Sequence, residues 1–268
     1  MEAAFFDLDK TVIAKASMLA FGIPFYKEGL ISRRTVLRTL YAQAVYLHLG
    51  ASDERLGALR ESALAIIKGW KQQRVRQVVR ETMDQVVIPI IYKEALELIE
   101  HHRKAGRMIV IVSASPEEIV LPLSEHLGAD SAIASRPRVD EFGRYTGEME
   151  LYAYGAFKAQ AMEDLAKSHS IDLAASYAYS DSYTDVPMLE SVGHPSVVNP
   201  DRVLARLAKE RGWETLQFKE KMKMEPEADT PARMATLAAL RYGAAGLAGV
   251  AIGWRVATHR HNRPGALP

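Results

Sequence analysis

Two patterns in this chain predict an α/β fold: a doubly wound parallel sheet with a helical cap inserted after its first strand. The first is a short, fully apolar run at residues 3–6 followed at once by acidic residues, the form of a buried parallel strand. The second is the regular alternation of strand-like and helix-like segments from about residue 88 onward. Between them the apolar residues keep a 3.6-residue period, as in Leu37, Leu40, Tyr41, Ala44, Val45 and Leu47, and in Leu56, Leu59, Ala63, Ile66 and Ile67. The expected organisation is a core of residues 1–13 plus 86–215, a helical cap at 14–85, a charge-mixed linker at 216–234, and an apolar helix with a basic tail at 235–268.

The elements follow in order. Lys93 to Lys104 reads as a helix stopped by Gly106, and residues 108–112 as a buried strand. Ser115, Pro116 and Glu118 read as an N-cap, a first helical residue and the far half of a capping box. Residues 129–134 form a short strand, and 139–145 a hairpin turning at Gly143. A helix at 157–168, a strand at 176–179, a short helix at 186–191 and a final strand at 196–198 come next. Asn199-Pro200-Asp201 then caps a helix through Arg211. There is no internal repeat.

Composition excludes several classes. The chain has 268 residues, 48% hydrophobic and 25% charged, with a formal net charge of +1, so it lacks the basic excess of a nucleic-acid binder. It has no cysteine, hence no disulfide, zinc–thiolate site or thiol nucleophile. The apolar strand begins with no basic segment before it, so no secretory signal is expected and the protein is placed in the cytoplasm.

Chemistry is concentrated at expected strand ends. Asp7 and Asp9 follow the first strand one residue apart, with Thr11 just beyond. Acids that close repel unless a cation lies between them, which suggests a Mg²⁺ site with one Asp as nucleophile; the bland alternative is a solvated acidic turn. Ser113 ends the strand at 108–112, where its hydroxyl suits a phosphoryl oxygen or merely a cap. Lys158 lies near a helix start, a place where lysines are usually on the surface. Asp181 and Asp185 stand at a strand-to-helix turn, and Asp185 alone could be an N-cap.

Acid pair, hydroxyl, lysine and acid pair, in that order, make the chain resemble the haloacid dehalogenase superfamily of phosphohydrolases over about residues 1–215. Asp7-Leu8-Asp9-Lys10-Thr11 matches its first loop, Ser113 its single hydroxyl, Lys158 its lysine, and Asp181 with Asp185 its last acidic loop. The helical insertion after the first loop resembles the cap of subfamily IB, the branch that holds the phosphoserine phosphatases. The resemblance implies a Mg²⁺-dependent phosphomonoesterase on a Rossmann-like core, acting on a small or lipid-like phosphate ester. It implies that Asp7 is the nucleophile that becomes an aspartyl-phosphate and Asp9 the general acid and base. It further implies that Asp7, the Asp9 carbonyl and Asp181 hold Mg²⁺, that Ser113 and Lys158 bind the phosphoryl group, and that Thr11 and Asp185 support the site.

Asp9-Lys10-Thr11 also echoes the Asp-Lys-Thr of cation-pumping ATPases in the same superfamily, but that register would leave Thr11, a poor proton shuttle, as the acid. Two departures bear on substrate. Thr184 stands where phosphoserine phosphatases carry Asn, and residues 13–21 contain no acid to meet an ammonium group, so phosphoserine is expected to be a poor substrate. Other readings are a phosphate-accepting signalling domain, which Asp9 and the cap argue against, and a membrane-tethered interaction protein on a phosphatase fold. The tail at 235–257 has the length of a membrane span, with Tyr242 and Trp254 as interfacial aromatics, though Arg241 and Arg255 shorten its uncharged part. It is a candidate anchor to the inner face of the cytoplasmic membrane.

Overall fold

The computed structural model describes residues 1–32 and 61–222. Helices expected around Leu37 to Leu47 and at Leu56 and Leu59, and the tail at 235–257, lie outside the described residues. Residues Met1–Lys223 form one compact unit.

The sheet has seven strands: β1 (Ala3–Asp7), β2 (Met108–Pro116), β3 (Ser131–Val139), β4 (Tyr145–Leu151), β5 (Tyr177–Ser180), β6 (His194–Val198) and β7 (Glu214–Leu216), in the order β4-β3-β2-β1-β5-β6-β7. All neighbours are parallel except the β3–β4 hairpin. The chain runs outward from β1 to β2 and β3, then resumes on the other side with β5, β6 and β7. The place where that direction reverses, beside the carboxyl end of β1, is where open α/β sheets bind ligands.

β1 is central and buried along its whole length. Its side chains alternate between two cores, as period 2 requires: Ala4 and Phe6 enter one, Ala3 and Phe5 the other. Burying either phenylalanine fully stabilises the fold by roughly 2 kcal/mol. The first core receives Val75, Val79 and Met83 of α3 (Gln72–Val86), Ala95 and Ile99 of α4 (Lys93–Lys104), and Ile119, Val120 and Leu123 of α5 (Glu117–His126). The second receives Met162 and Ala166 of α6 (Ala156–His169), Met188 and Leu189 of α7 (Val186–Glu190), and Leu204 and Ala208 of α8 (Arg202–Arg211). Asp7 continues the Ala3–Phe5 parity, so it points to the face that carries α6.

The helical insertion leaves and rejoins the core through two adjacent segments. The Ala14 N–H donates to the Ile90 carbonyl at 2.7 Å and the Tyr92 N–H to the Val12 carbonyl at 3.0 Å. The insertion includes α1 (Ser17–Ala20), α2 (Gly22–Lys27), helical residues 61–67 and α3. Its return segment also seats on the β3–β4 hairpin: Gly69 N–H donates to the Tyr145 carbonyl, Tyr145 N–H to that of Trp70, and Gln72 N–H to that of Gly143. Residues 217–222, placed in the linker by composition, run beside this junction, with Phe218 buried and Met222 N–H bonded to the Ile91 carbonyl.

Three local expectations need correction. Ser115 lies in β2 and is not a helix cap; α5 starts at Glu117 after Pro116, with no side-chain cap. Glu118 accepts a bond from Gln72 Nε2 at 2.8 Å, so there is no capping box. The strand β6 is not the last, because Glu214–Leu216 adds a short, largely exposed edge strand that has no apolar run to betray it. Elsewhere the signals hold: Gly106 takes φ +74° after α4, Gly143 φ +69° in the hairpin, and Asp201 accepts from the Val203 and Leu204 N–H groups at the start of α8.

One buried polar cluster tunes stability. His102 of α4 packs edge-on against Phe6, and its Nε2 lies 2.8 Å from the Tyr179 hydroxyl. Arg107 approaches Nδ1 at 3.3 Å; a guanidinium can only donate, so Nδ1 accepts and Nε2 carries the proton. Burial, then the charges of Arg107 and His101, lower the imidazole to about 4. The unfolded chain takes up this proton from near pH 6.5 downward, whereas the folded chain resists until about pH 4. This contribution to stability is therefore complete above pH 6.5 and is lost as the pH falls toward 4. Urea unfolding across that range is expected to show a shallower acid slope for His102→Gln than for the unchanged chain.

Candidate functional site

The residues singled out in the sequence converge on the carboxyl ends of β1, β2 and β5. Asp7 ends β1 in register with Val112 of β2, so Ser113 stands one step further along the neighbouring strand. On the other side Phe6 pairs with Tyr179, which brings Ser180 and Asp181 beside Asp7 and its loop. After Asp7 the chain turns sharply. Leu8 carbonyl accepts from the Val12 and Ile13 N–H groups, and Lys10 takes φ +65°, a conformation unusual for a residue with a side chain.

Lys158 is the centre of the site. It is only 3% exposed, and its Nζ donates to Asp7 Oδ1 at 2.6 Å and to Asp185 Oδ2 at 2.7 Å. Gly155 at the N-cap of α6, with φ +57°, sets the turn that aims the first helical turn inward. Burial alone would lower the ammonium, but the Asp7 and Asp185 charges outweigh it and raise its pKa. Burial pushes the Asp7 carboxyl well above the usual carboxylate range; Lys158 opposes this, while Asp185, Asp181 and Asp9 add to it. Burial likewise pushes Asp181 up to about 7, against Lys10 and with Asp185.

Asp185 occupies the N-cap position of α7 but makes no capping bond. Its Oδ2 accepts from Lys158 and from Ser180 Oγ at 2.7 Å. The last acidic loop is pinned by Asp201, whose N–H donates to the Asp181 carbonyl and whose carboxylate accepts from Tyr183 N–H, each at 2.8 Å. Ser113 is fully buried and accepts from the Ser115 N–H at 3.1 Å. Thr11 is also fully buried, and its hydroxyl has no hydrogen-bond partner among the described residues. Thr184 turns to Ser182, 3.0 Å between hydroxyl oxygens.

Asp9 is held apart from this set. Its Oδ1 accepts from Ser17 N–H and its Oδ2 from Ser115 Oγ. Sequence reasoning missed Ser17, Ser115, Ser180 and Asp201 as site residues. Serines are too common to stand out, and Ser115 was already explained as a cap. Among the described residues no three His, Cys, Asp or Glu side chains form a ready-made metal cage. The oxygens near the crevice, carboxylates and the carbonyls of the Asp7–Thr11 turn, are nevertheless hard donors of the kind Mg²⁺ takes with water completing its shell.

The Lys158 triad yields a stability prediction. Lys158→Met leaves Asp7 and Asp185 buried without their cation, and is expected to cost roughly 3 kcal/mol at pH 8. That loss should shrink at lower pH, where the Asp7 carboxyl can take up a proton. Urea titrations of both chains at pH 8 and at pH 5.5 provide the measurement.

Comparison with known proteins adds independent findings. Residues 4–190 match the family described as haloacid dehalogenase-like hydrolase. The chain is 52% identical to an "Inhibition of morphological differentiation protein" of Streptomyces azureus, covering 91% of this chain and 89% of that one. It is 46% identical to a probable phosphatase of Mycobacterium tuberculosis, over 93% and 87% of the two chains. A phosphoserine phosphatase of the same organism is 36% identical, over 91% and 77%. Among solved structures, a Bordetella pertussis protein of unknown function superposes with a TM-score of 0.69 at 25% identity, covering 80% of this chain and 97% of that one. A phosphoserine phosphatase solved as a phospho-aspartyl intermediate analogue shares the fold, with a TM-score of 0.56 at 18% identity over 82% and 94%.

Proposed function

Because the chain belongs to the haloacid dehalogenase-like hydrolases, in their phosphoserine phosphatase-like branch, we propose that it is a Mg²⁺-dependent phosphomonoesterase working through an aspartyl-phosphate. The observation that carries this reading is the separation of two neighbouring acids into different environments. Asp7 faces a buried ammonium, while Asp9 is held by a hydroxyl and an N–H. Paired carboxyls with unlike surroundings take unlike roles.

In the first half-reaction an Asp7 oxygen attacks phosphorus, the bond to the ester oxygen breaks, and Asp9 gives that oxygen its proton, so an alcohol leaves. In the second, Asp9 takes a proton from water, whose oxygen attacks phosphorus; the bond to Asp7 breaks and inorganic phosphate is released. Lys158 has three N–H donors and uses two on Asp7 and Asp185, which leaves one for a phosphoryl oxygen. Ser113 Oγ accepts from Ser115 N–H, so its own proton is free to donate to another. Asp7, Asp181 and the Asp9 carbonyl would hold Mg²⁺, which neutralises charge on the phosphoryl oxygens and lets an anion enter this acidic crevice. Asp185 supports the site by fixing Lys158. A phosphate-accepting signalling domain is the weaker reading, since Asp9 hastens loss of the phosphoryl group.

The substrate class is a small or lipid-like phosphate ester. Residues 13–21 at the start of the cap contain no acid, so this segment offers no negative charge to an ammonium group. Turnover of p-nitrophenyl phosphate is expected to require Mg²⁺ and to vanish in Asp7→Asn, while Asp9→Asn accumulates phospho-enzyme. In a panel of phosphate esters, phosphoserine should rank below the best substrate. Metal-independent hydrolysis or an active Asp7→Asn chain would refute the mechanism.

We also propose that residues 235–257 tether the enzyme to the inner face of the cytoplasmic membrane; among the described residues no helix is long and apolar enough to cross a membrane. Fractionation of cells making the full chain or one ending at Pro231 tests this. The full chain should sediment with membranes and the short one should not.

A further inference from the structure

Both oxygens of the Asp9 carboxylate are engaged, and from two different elements. Ser17 N–H, at the start of α1, reaches Oδ1 at 2.5 Å, and Ser115 Oγ, near the end of β2, reaches Oδ2 at 2.8 Å. The Ser17 hydroxyl lies 2.8 Å from the Ser115 oxygen. A serine hydroxyl has one proton. Ser115 gives its proton to Asp9, so it must accept from Ser17, and the direction of the chain is set. Ser17 is fully buried and Ser115 only 6% exposed, which removes water as a competitor for these bonds. A carboxylate held on one oxygen still turns about its Cβ–Cγ bond; held on both, its plane is fixed. The Ser115 main-chain N–H meanwhile holds Ser113 Oγ. One residue therefore touches both the hydroxyl proposed to bind the phosphoryl group and the acid proposed to move protons.

We propose that Ser115, oriented by Ser17, is the positioning residue for proton transfer by Asp9, an inference that rests on the phosphatase reading above. Ser115 acts through Asp9, so its influence falls on the two steps in which a proton moves. Those steps differ in their need for it. A weakly basic leaving oxygen departs with little help, whereas a basic one depends on the acid. In the second half-reaction water must lose a proton whatever the ester was.

The test uses the full chain with Mg²⁺ and a series of substituted phenyl phosphates, from p-nitrophenyl through phenyl to p-methoxyphenyl. For Ser115→Ala, kcat/KM is expected to fall by less than about 3-fold on the nitrophenyl ester and by roughly 30-fold on the methoxyphenyl ester, a steeper dependence on leaving-group basicity. Acid quenching should trap more phospho-enzyme from the nitrophenyl ester than in the unchanged chain, and Ser115→Thr, which keeps a hydroxyl, should restore the shallow slope. Ser17→Ala retains the main-chain bond to Asp9 and should show the same signature at smaller amplitude, which preserves the test if Ser115→Ala does not fold. Equal losses on every ester would overturn the positioning role while leaving the phosphatase reading intact. An unchanged chain inert to every ester would overturn that reading and the positioning role with it.

Discussion

The interaction on which the site depends is the buried bridge from Lys158 to Asp7 and Asp185. Three charges removed from water are tolerated only when each has close partners, and here the ammonium sits within 2.7 Å of both carboxylates. The bridge joins the end of β1, the first turn of α6 and the loop after β5, segments that lie far apart along the chain. Its geometry follows from the sheet. Asp7 shares a face with Ala3 and Phe5, and α6 covers that face through Met162 and Ala166. The packing that buries the helix thus delivers its lysine to the acid.

The bridge also leaves a surplus of negative charge. Burial pushes the Asp181 carboxyl up to about 7, with Asp185 and Asp201 adding to it and Lys10 and Lys158 opposing it. Such a crevice repels an anionic ester unless a further cation is present, which is the physical argument for Mg²⁺ in the proposed reaction. Asp9 adds its charge to this cluster but keeps its own hydrogen bonds to Ser17 and Ser115, which is what the proposed division of attack and proton transfer between the two acids rests on.

The cap and the core are joined at more than a hinge. Residues 12–14 and 90–92 run side by side, and residues 69–72 bond to the β3–β4 hairpin. Ser17, the first residue of the first cap helix, reaches back to Asp9. The start of the insertion therefore touches the catalytic apparatus proposed here.

Much of this was legible in the chain itself. The apolar run before Asp7, the alternation from residue 88, the glycine at 143 and the Asp201 cap are local signals, carried by residues adjacent in sequence and enforced by backbone geometry. The order of Asp7, Asp9, Ser113, Lys158, Asp181 and Asp185, each at a strand end or a helix start, was readable for the same reason. What the tertiary structure alone decided are the partnerships across long separations: which acids Lys158 joins, that Ser115 bonds to Asp9 instead of capping a helix, that His102 meets Tyr179, and that the short, largely exposed strand at 214–216 completes the sheet. Hydrogen-bond partners and burial depend on how elements more than 70 residues apart pack together, and a serine or a lysine carries no local mark of the partner it will find.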